Sequence, residues 1–459
     1  VVIGAGPAGL AGAVVAAGAG RSVVVVDNGN RPGGQFYRHP AGGAPVRGGR
    51  TFARLRAACD ARGVRMLSGR QVHLVAGPPF TVHATATEPV VADTVLVATG
   101  AHDRVVPFPG WDLPGVLTAG GAQSLLKGSG VLPGRRIVVA GTGPFLLPVA
   151  ADLASAGADV AGVFEANDPL RFARFPRGVA ENAGKLAEAA GYLAVLARHR
   201  VPVRNRHAVV AAHGGDALTS VTVAEVTEAW HPVAGTERRI DCDVLAVGCG
   251  FIPQVDIGLA LGCDGRVTED GTLALAVDDR QATTVPGVFA AGEVTGIGGA
   301  RLSLLEGAIA GYALSDVDVS GSLCAERSRH ARFARAMAAV YPVRDGWLRR
   351  LTGDTLVCRC EEVDHDAVRT AVTELGARDV RAVKLLTRAG MGWCQGRMCG
   401  GAVACAVADL TGVPTAAADL ASAGRRVLAQ PVRLGDLAVL GAPADGTTPA
   451  DGTTTEEFG

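Results

Sequence analysis

The chain has 459 residues, 48% of them hydrophobic and only 4% aromatic, which is enough apolar mass for several buried cores and points to more than one domain. Forty-four basic and 44 acidic side chains cancel, which excludes the electrostatic footprint of a nucleic-acid-binding protein. None of the 10 cysteines forms a C-x-x-C, which excludes thioredoxin-like dithiol exchange. Cys59, Cys242, Cys249, Cys263 and Cys324 stand singly, as buried free thiols of a reducing cytoplasm would.

Residues 1–3 read as a buried strand. Gly4-Ala-Gly6-Pro-Ala-Gly9 reads as a loop opening an alanine-rich helix to about residue 19, and 23–26 as the next strand, ending in Asp27. This is the strand–loop–helix–strand unit of a parallel sheet. The first 20 residues carry no charge, but no basic leader precedes them and six are glycines, so a dinucleotide fold explains them better than a signal or membrane span. The chain starts inside a strand and without Met, so further residues are expected ahead of Val1. A nucleotide pyrophosphate needs backbone N–H donors at a helix N-terminus with no side chain in the way. Gly4, Gly6 and Gly9 are placed for the tight turn, the close approach and the helix–strand packing, and Asp27 to accept from the adenosine ribose. Arg31-Pro-Gly33-Gly34-Gln35 is a second glycine-rich loop, suited to run along the ribityl chain of a flavin. A helix is expected over 50–62, strands over 71–75 and 81–85, and a strand over 93–98 closing on Thr99-Gly100.

A second nucleotide unit follows. A strand over 137–140 leads into Gly141-Thr-Gly143-Pro-Phe-Leu146, a helix, and a strand over 160–164 ending in Glu165. Leu146 stands where the third glycine would be, while Glu165 is still placed for a ribose. The expected occupant is NAD(H); the alternatives are a relict loop, or another adenine nucleotide held without hydride transfer. One late strand is expected over 241–247, then a strand over 288–290 with the turn Gly292-Glu293, whose acid is suited to ribityl hydroxyls. His102, Asp103 and Arg104 follow the Thr99-Gly100 turn and are expected to be structural, with Arg104 pairing at the domain crossover.

A basic helical connector over about 322–339 leads to a cysteine loop, two helices, a second cysteine loop and a helix. The four cysteines are Cys358, Cys360, Cys394 and Cys399. Soft thiolates at this density suit an iron–sulfur cluster or a structural zinc. Two nucleotide loops upstream tilt the choice toward iron–sulfur, because zinc has no redox chemistry. From about residue 442 the chain is rich in Gly, Thr, Pro and Asp and is expected to be disordered.

Leu96-Val-Ala-Thr99-Gly100 and residues 287–293 resemble the two flavin-proximal motifs of flavoproteins with two dinucleotide-binding domains, the glutathione reductase fold, with Glu293 in place of the usual Asp. More narrowly, three stretches resemble one group of subunits: Pro107-Phe-Pro-Gly-Trp111-Asp-Leu-Pro-Gly-Val-Leu-Thr118-Ala-Gly-Gly-Ala-Gln123, Gly298-Gly-Ala-Arg301-Leu and Cys358-Arg-Cys360-Glu-Glu362. These are the α-type subunits of hydrogen cyanide synthase, opine oxidase, D-hydroxyproline dehydrogenase and dye-linked L-proline dehydrogenase. The cysteine region is similar to the [2Fe–2S] domain of bacterioferritin-associated ferredoxin, although four residues separate Cys394 from Cys399 where two are usual.

The resemblance implies an α/β protein with two Rossmann-like, glutathione-reductase-like domains and a small helical C-terminal [2Fe–2S] domain. The expected layout is an FAD-binding domain in two halves (1–108 and 255–320) around a nucleotide-binding domain (109–254). A connector (321–350), a cluster domain (351–412) and an extension (413–459) follow. It also implies FAD, a [2Fe–2S] cluster, and a hetero-oligomer with a small ferredoxin-like subunit and an amine-oxidase-like FAD subunit, without a membrane span. The alternatives are a stand-alone NAD(P)H-dependent reductase and a non-catalytic nucleotide-binding scaffold.

Overall fold

A computed structural model describes residues 1–40, 48–424 and 426–438. Its frame is two parallel five-stranded sheets joined by a narrow crossover. The first has the spatial order Val288–Ala290, Val95–Val97, Val2–Ile3, Val24–Asp27, Arg65–Ser68, with every pairing parallel. Val95, Leu96 and Val97 are fully buried, as continuous apolar runs in a parallel sheet covered on both faces must be. The strand Val288–Ala290 comes from far along the chain, so the sheet is complete only after the second domain has been inserted and left.

Helix Pro7–Gly18 begins with proline at its first turn, where the missing N–H costs nothing. It packs on helix Ala300–Ala313 backbone to backbone. A Cβ on Gly307 would lie 2.0 Å from the Ala8 carbonyl oxygen, and one on Gly311 2.7 Å from that of Gly12.

The second sheet runs Val203–Asn205, Asp159–Glu165, Arg136–Gly141, Val244–Gly248, Val116–Thr118, again all parallel. The single strand expected over 241–247 is in fact two. Arg238–Asp241 belongs to an antiparallel sheet with Leu218–Glu225 and His207–Gly214, while Val244–Gly248 enters the parallel sheet. Asp243 makes the break, because its carboxylate accepts the backbone amides of Arg135 (3.0 Å) and Arg136 (2.9 Å) at the start of the neighbouring strand.

The chain passes between the two sheets through Ala101–Asp103 and returns through Phe251–Pro253. These two segments pair antiparallel, with His102 opposite Ile252. Beyond the basic helix Gly321–Val340, the hairpin of Leu356–Cys358 and Val363–Asp364 precedes helices His365–Thr373, Val380–Thr387 and Gly400–Thr411. Asp364 and Asp379 start the first two of these by accepting the amides of Ala367 and Ala382, each at 2.8 Å. Val357, Val368, Val383 and Val403 share one core with Val226, Trp230 and Trp347, so the C-terminal unit is built onto the second nucleotide domain. Among the described residues no helix is long and apolar enough to cross a membrane. The disorder expected from about residue 442 lies outside the described residues.

Candidate functional site

Gly4 sits at φ +106°, and a Cβ there would lie 2.3 Å from the Ala98 carbonyl oxygen, so only glycine lets the first loop nestle beside Thr99-Gly100. A Cβ on Gly9 would be 1.8 Å from the Gly4 carbonyl oxygen, whereas at Gly6 it would meet nothing within 4 Å. Two glycines are thus consumed by packing, and the middle one leaves the helix N-terminus open. Asp27 accepts from the Ala5 amide (2.6 Å) and the Gly29 amide (2.8 Å). Burial raises its pKa, and those two amides oppose the rise.

The loop over 31–35 lies across the first, with the Gly33 amide on the Ala5 carbonyl at 2.8 Å. A Cβ on Gly34 would be 2.9 Å from the Gly6 Cα. Gln35 accepts from Arg38 through its side chain. Thr99 spends its hydroxyl on the Gln254 carbonyl at 2.7 Å, tying the flavin-side turn to the returning crossover strand.

Gly292 closes in from the other side, where a Cβ would lie 2.8 Å from that of Ala8. Its amide donates to Glu306 at 3.0 Å, and Glu293 accepts the Gly299 amide at 2.7 Å. Glu306, 4% exposed in the middle of helix Ala300–Ala313, is a site residue that the sequence reading misses, although a lone acid within an apolar helical run is the available signal. It also accepts from the Thr295 hydroxyl (3.2 Å) and faces Arg327 of the basic helix (3.6 Å). Burial pushes both Glu293 and Glu306 up to about 7. Three glycine-containing loops therefore converge on one open helix N-terminus, flanked by acids, and these residues fit FAD.

The second loop is more closed. Glu165 is 6% exposed and accepts from the amides of Gly143 (2.7 Å) and Asn167 (2.8 Å). The Asn167 amide nitrogen donates to the Thr142 hydroxyl (2.7 Å) and to the Pro342 carbonyl (2.9 Å), and Asn167 accepts from the Trp230 indole at 3.4 Å. Burial lifts Glu165 to about 7. Leu146 is buried, with a side-chain carbon 2.9 Å from where a Gly248 Cβ would stand. Asn167, Trp230 and Pro342 carry no sequence signal, because their convergence depends on three distant segments.

The four cysteines meet as two pairs. Cys358 ends a hairpin strand and Cys399 caps helix Gly400–Thr411. The thiol of Cys399 hydrogen-bonds to Cys358, which holds Cys358 down at about 5, while the same contact and burial push Cys399 up. The Gly390 amide also donates to Cys358 at 3.5 Å. Cys360, exposed, pairs with Cys394, and burial raises its pKa first, with the neighbouring thiol adding to the rise. Gly392 gives the second pair room, since a Cβ there would be 2.4 Å from that of Cys360. Among the described residues no three ligands converge on one metal-ion point. Four thiols gathered two and two fit a diiron cluster, which takes two thiolates on each iron.

His102 and Asp103 point to different partners. The His102 Nε2–H donates to the Arg397 carbonyl at 3.1 Å, and burial keeps the ring's pKa low. Asp103 accepts from the Thr118 hydroxyl at 2.7 Å. Arg104 donates to the Asp270 carbonyl at 2.9 Å.

A chain with this double-sheet frame, an open glycine loop and a paired cysteine cage is an oxidoreductase built to hold a flavin nucleotide and an iron–sulfur cluster. Residues 1–316 match the pyridine nucleotide-disulphide oxidoreductase family and residues 356–408 the BFD-like [2Fe-2S] binding domain, so the chain belongs to that family of FAD-dependent oxidoreductases. It is 35% identical to the hydrogen cyanide synthase subunit HcnB of Pseudomonas aeruginosa, over 87% of this chain and 90% of that one. It is 34% identical to an opine oxidase subunit of Agrobacterium tumefaciens, over 96% of this chain and 91% of that one. In fold it is similar to L-proline dehydrogenase from P. horikoshii, with a TM-score of 0.68 and 19% identity over 95% of this chain and 78% of that chain.

Proposed function

We propose that this chain is the electron-transferring subunit of an amino-acid or imino-acid dehydrogenase complex acting on hydroxyproline, proline or an opine. Electrons pass between its flavin, its [2Fe–2S] cluster and an acceptor. The observation that carries this reading is the presence, in one chain, of an FAD cradle and a two-and-two cysteine cage. The near full-length similarity to HcnB and to the opine oxidase protein, both named as subunits, supports the assembly.

FAD would be held by Gly4, Gly6, Gly9, Asp27, Gly34, Gln35, Thr99, Gly100, Gly292 and Glu293, and the cluster by Cys358, Cys360, Cys394 and Cys399. A bound flavin supplies the exchange between two-electron and one-electron chemistry that a [2Fe–2S] centre needs. Asp27 would orient the adenosine end, and Glu306 fixes the Gly292 amide. The amine itself would be oxidised on an amine-oxidase-like FAD subunit, while a small ferredoxin-like subunit would be a further partner. The six cysteines outside the cage are free thiols, which agrees with a reducing, cytoplasmic location.

The second site, formed by Gly141, Gly143 and Glu165, would take NAD(H) or another adenine nucleotide. Glu165 accepts a backbone amide on each oxygen, as Asp27 does at the first loop, which supports a nucleotide role for it. Anaerobic isolation of the chain is expected to yield flavin, iron and sulfide without turnover of proline, hydroxyproline or opines. Full amine dehydrogenation by the isolated chain would refute the division of labour. Rapid bleaching of its flavin by NADH would favour a stand-alone reductase instead.

A further inference from the structure

The crossover between the two nucleotide domains is only two short strands wide, and the second cysteine loop is fastened to it at two points. From the outgoing strand, His102 donates through Nε2 to the backbone carbonyl of Arg397 at 3.1 Å. Just beyond the returning strand, Asp256 holds the Arg397 guanidinium at 3.2 Å and that of Arg426 at 2.6 Å. These three side chains are only 11–13% exposed, so the ion pairs are shielded from water. The Arg397 guanidinium also donates to the Cys394 carbonyl at 3.1 Å, within the loop, and to the Ala429 carbonyl outside it. Arg397 lies between Cys394 and Cys399, and His102 lies two residues beyond Gly100.

We propose that His102 is a positioning residue that sets the distance between the sulfur pairs and the Thr99-Gly100 turn. The ion pairs through Asp256 restrain the loop laterally through flexible arginine side chains. The histidine grips the Arg397 backbone carbonyl, as Arg426 grips that of Gln395, but it does so through a short, rigid ring with a directional N–H. A residue of equal bulk without that donor would leave the loop free to drift along the crossover. Electron tunnelling falls steeply with distance, so this drift would slow transfer without removing either centre. The inference rests on the flavin and cluster assignment above.

The test uses the full chain with its cofactors, prepared anaerobically, as wild type, H102A, H102N and H102Q. Glutamine can present an N–H near the position of Nε2, whereas asparagine is too short to do so. Hydrogen–deuterium exchange in 394–399 is expected to rise roughly two- to tenfold in H102A and H102N and to return to the wild-type rate in H102Q. With EDTA as the sacrificial donor, cluster reduction after a light pulse that reduces the flavin is expected to slow about tenfold or more in H102A and H102N, with iron and sulfide content unchanged. Unchanged exchange in H102A, or H102Q behaving like H102A, overturns the proposal. Wild-type protein that carries zinc or no metal overturns the functional reading instead, and the exchange experiment still reports on the contact by itself.

Discussion

The Asn167 side chain donates to the Pro342 carbonyl at 2.9 Å, and this contact fastens the chain leaving the basic helix over the acid of the second glycine loop. The same amide also holds Thr142 within that loop, so one side chain joins the nucleotide motif to the approach toward the cluster domain.

Replacing Asn167 with Ala removes partners from the Thr142 hydroxyl, the Pro342 carbonyl and the Trp230 indole in a buried setting. The expected loss is about 2–4 kcal/mol of stability. It should be read as a lowered thermal midpoint of the nucleotide domain, with the flavin content of the first domain unchanged.

Glu165 gives stability a dependence on pH. Its folded pKa of about 7 lies above the ordinary value of 4.5, so the folded state binds this proton more tightly than the unfolded chain. The resulting stabilisation is fully present below 4.5 and is lost as pH rises to about 7, by up to about 1.4 kcal/mol per pH unit. E165Q cannot titrate there. Thermal midpoints measured from pH 5 to pH 7.5 should therefore move in favour of the variant, relative to wild type, as pH rises.

The glycine contact between helices Pro7–Gly18 and Ala300–Ala313 should control flavin retention. G307A would place a methyl group 2.0 Å from the Ala8 carbonyl oxygen, so the helix opening at Gly6 must shift. A cost of about 1–3 kcal/mol is expected, together with a lower flavin-to-protein absorbance ratio after purification. An unchanged ratio would mean that this helix pair does not shape the cradle.

Thiol reactivity should separate the structural cysteines from the rest. Burial raises Cys242 to about 12 and Cys249 to about 11, which leaves almost no thiolate near neutral pH. Iodoacetamide at mildly alkaline pH should therefore leave both unmodified in the native chain and label them after unfolding, as mass spectrometry of the peptides would show.

Local pattern carried much of the architecture. Gly4, Gly6, Gly9 and Asp27 are legible from the sequence because turn, close approach and ribose acceptor sit at set spacings within one strand–loop–helix unit. The four cysteines are legible because thiolates at that density have few other uses. The order of helices around them is legible as well, and the structure adds that Asp364 and Asp379 cap the first two. Only the tertiary structure decided that 241–247 breaks into two strands, since the cause is Asp243 reaching the amides of another strand. The same holds for Glu306 under Gly292, for Asn167 between Thr142 and Pro342, and for His102 against Arg397. Each joins residues far apart in the chain, and no spacing rule encodes a hydrogen bond that forms only when separate units pack.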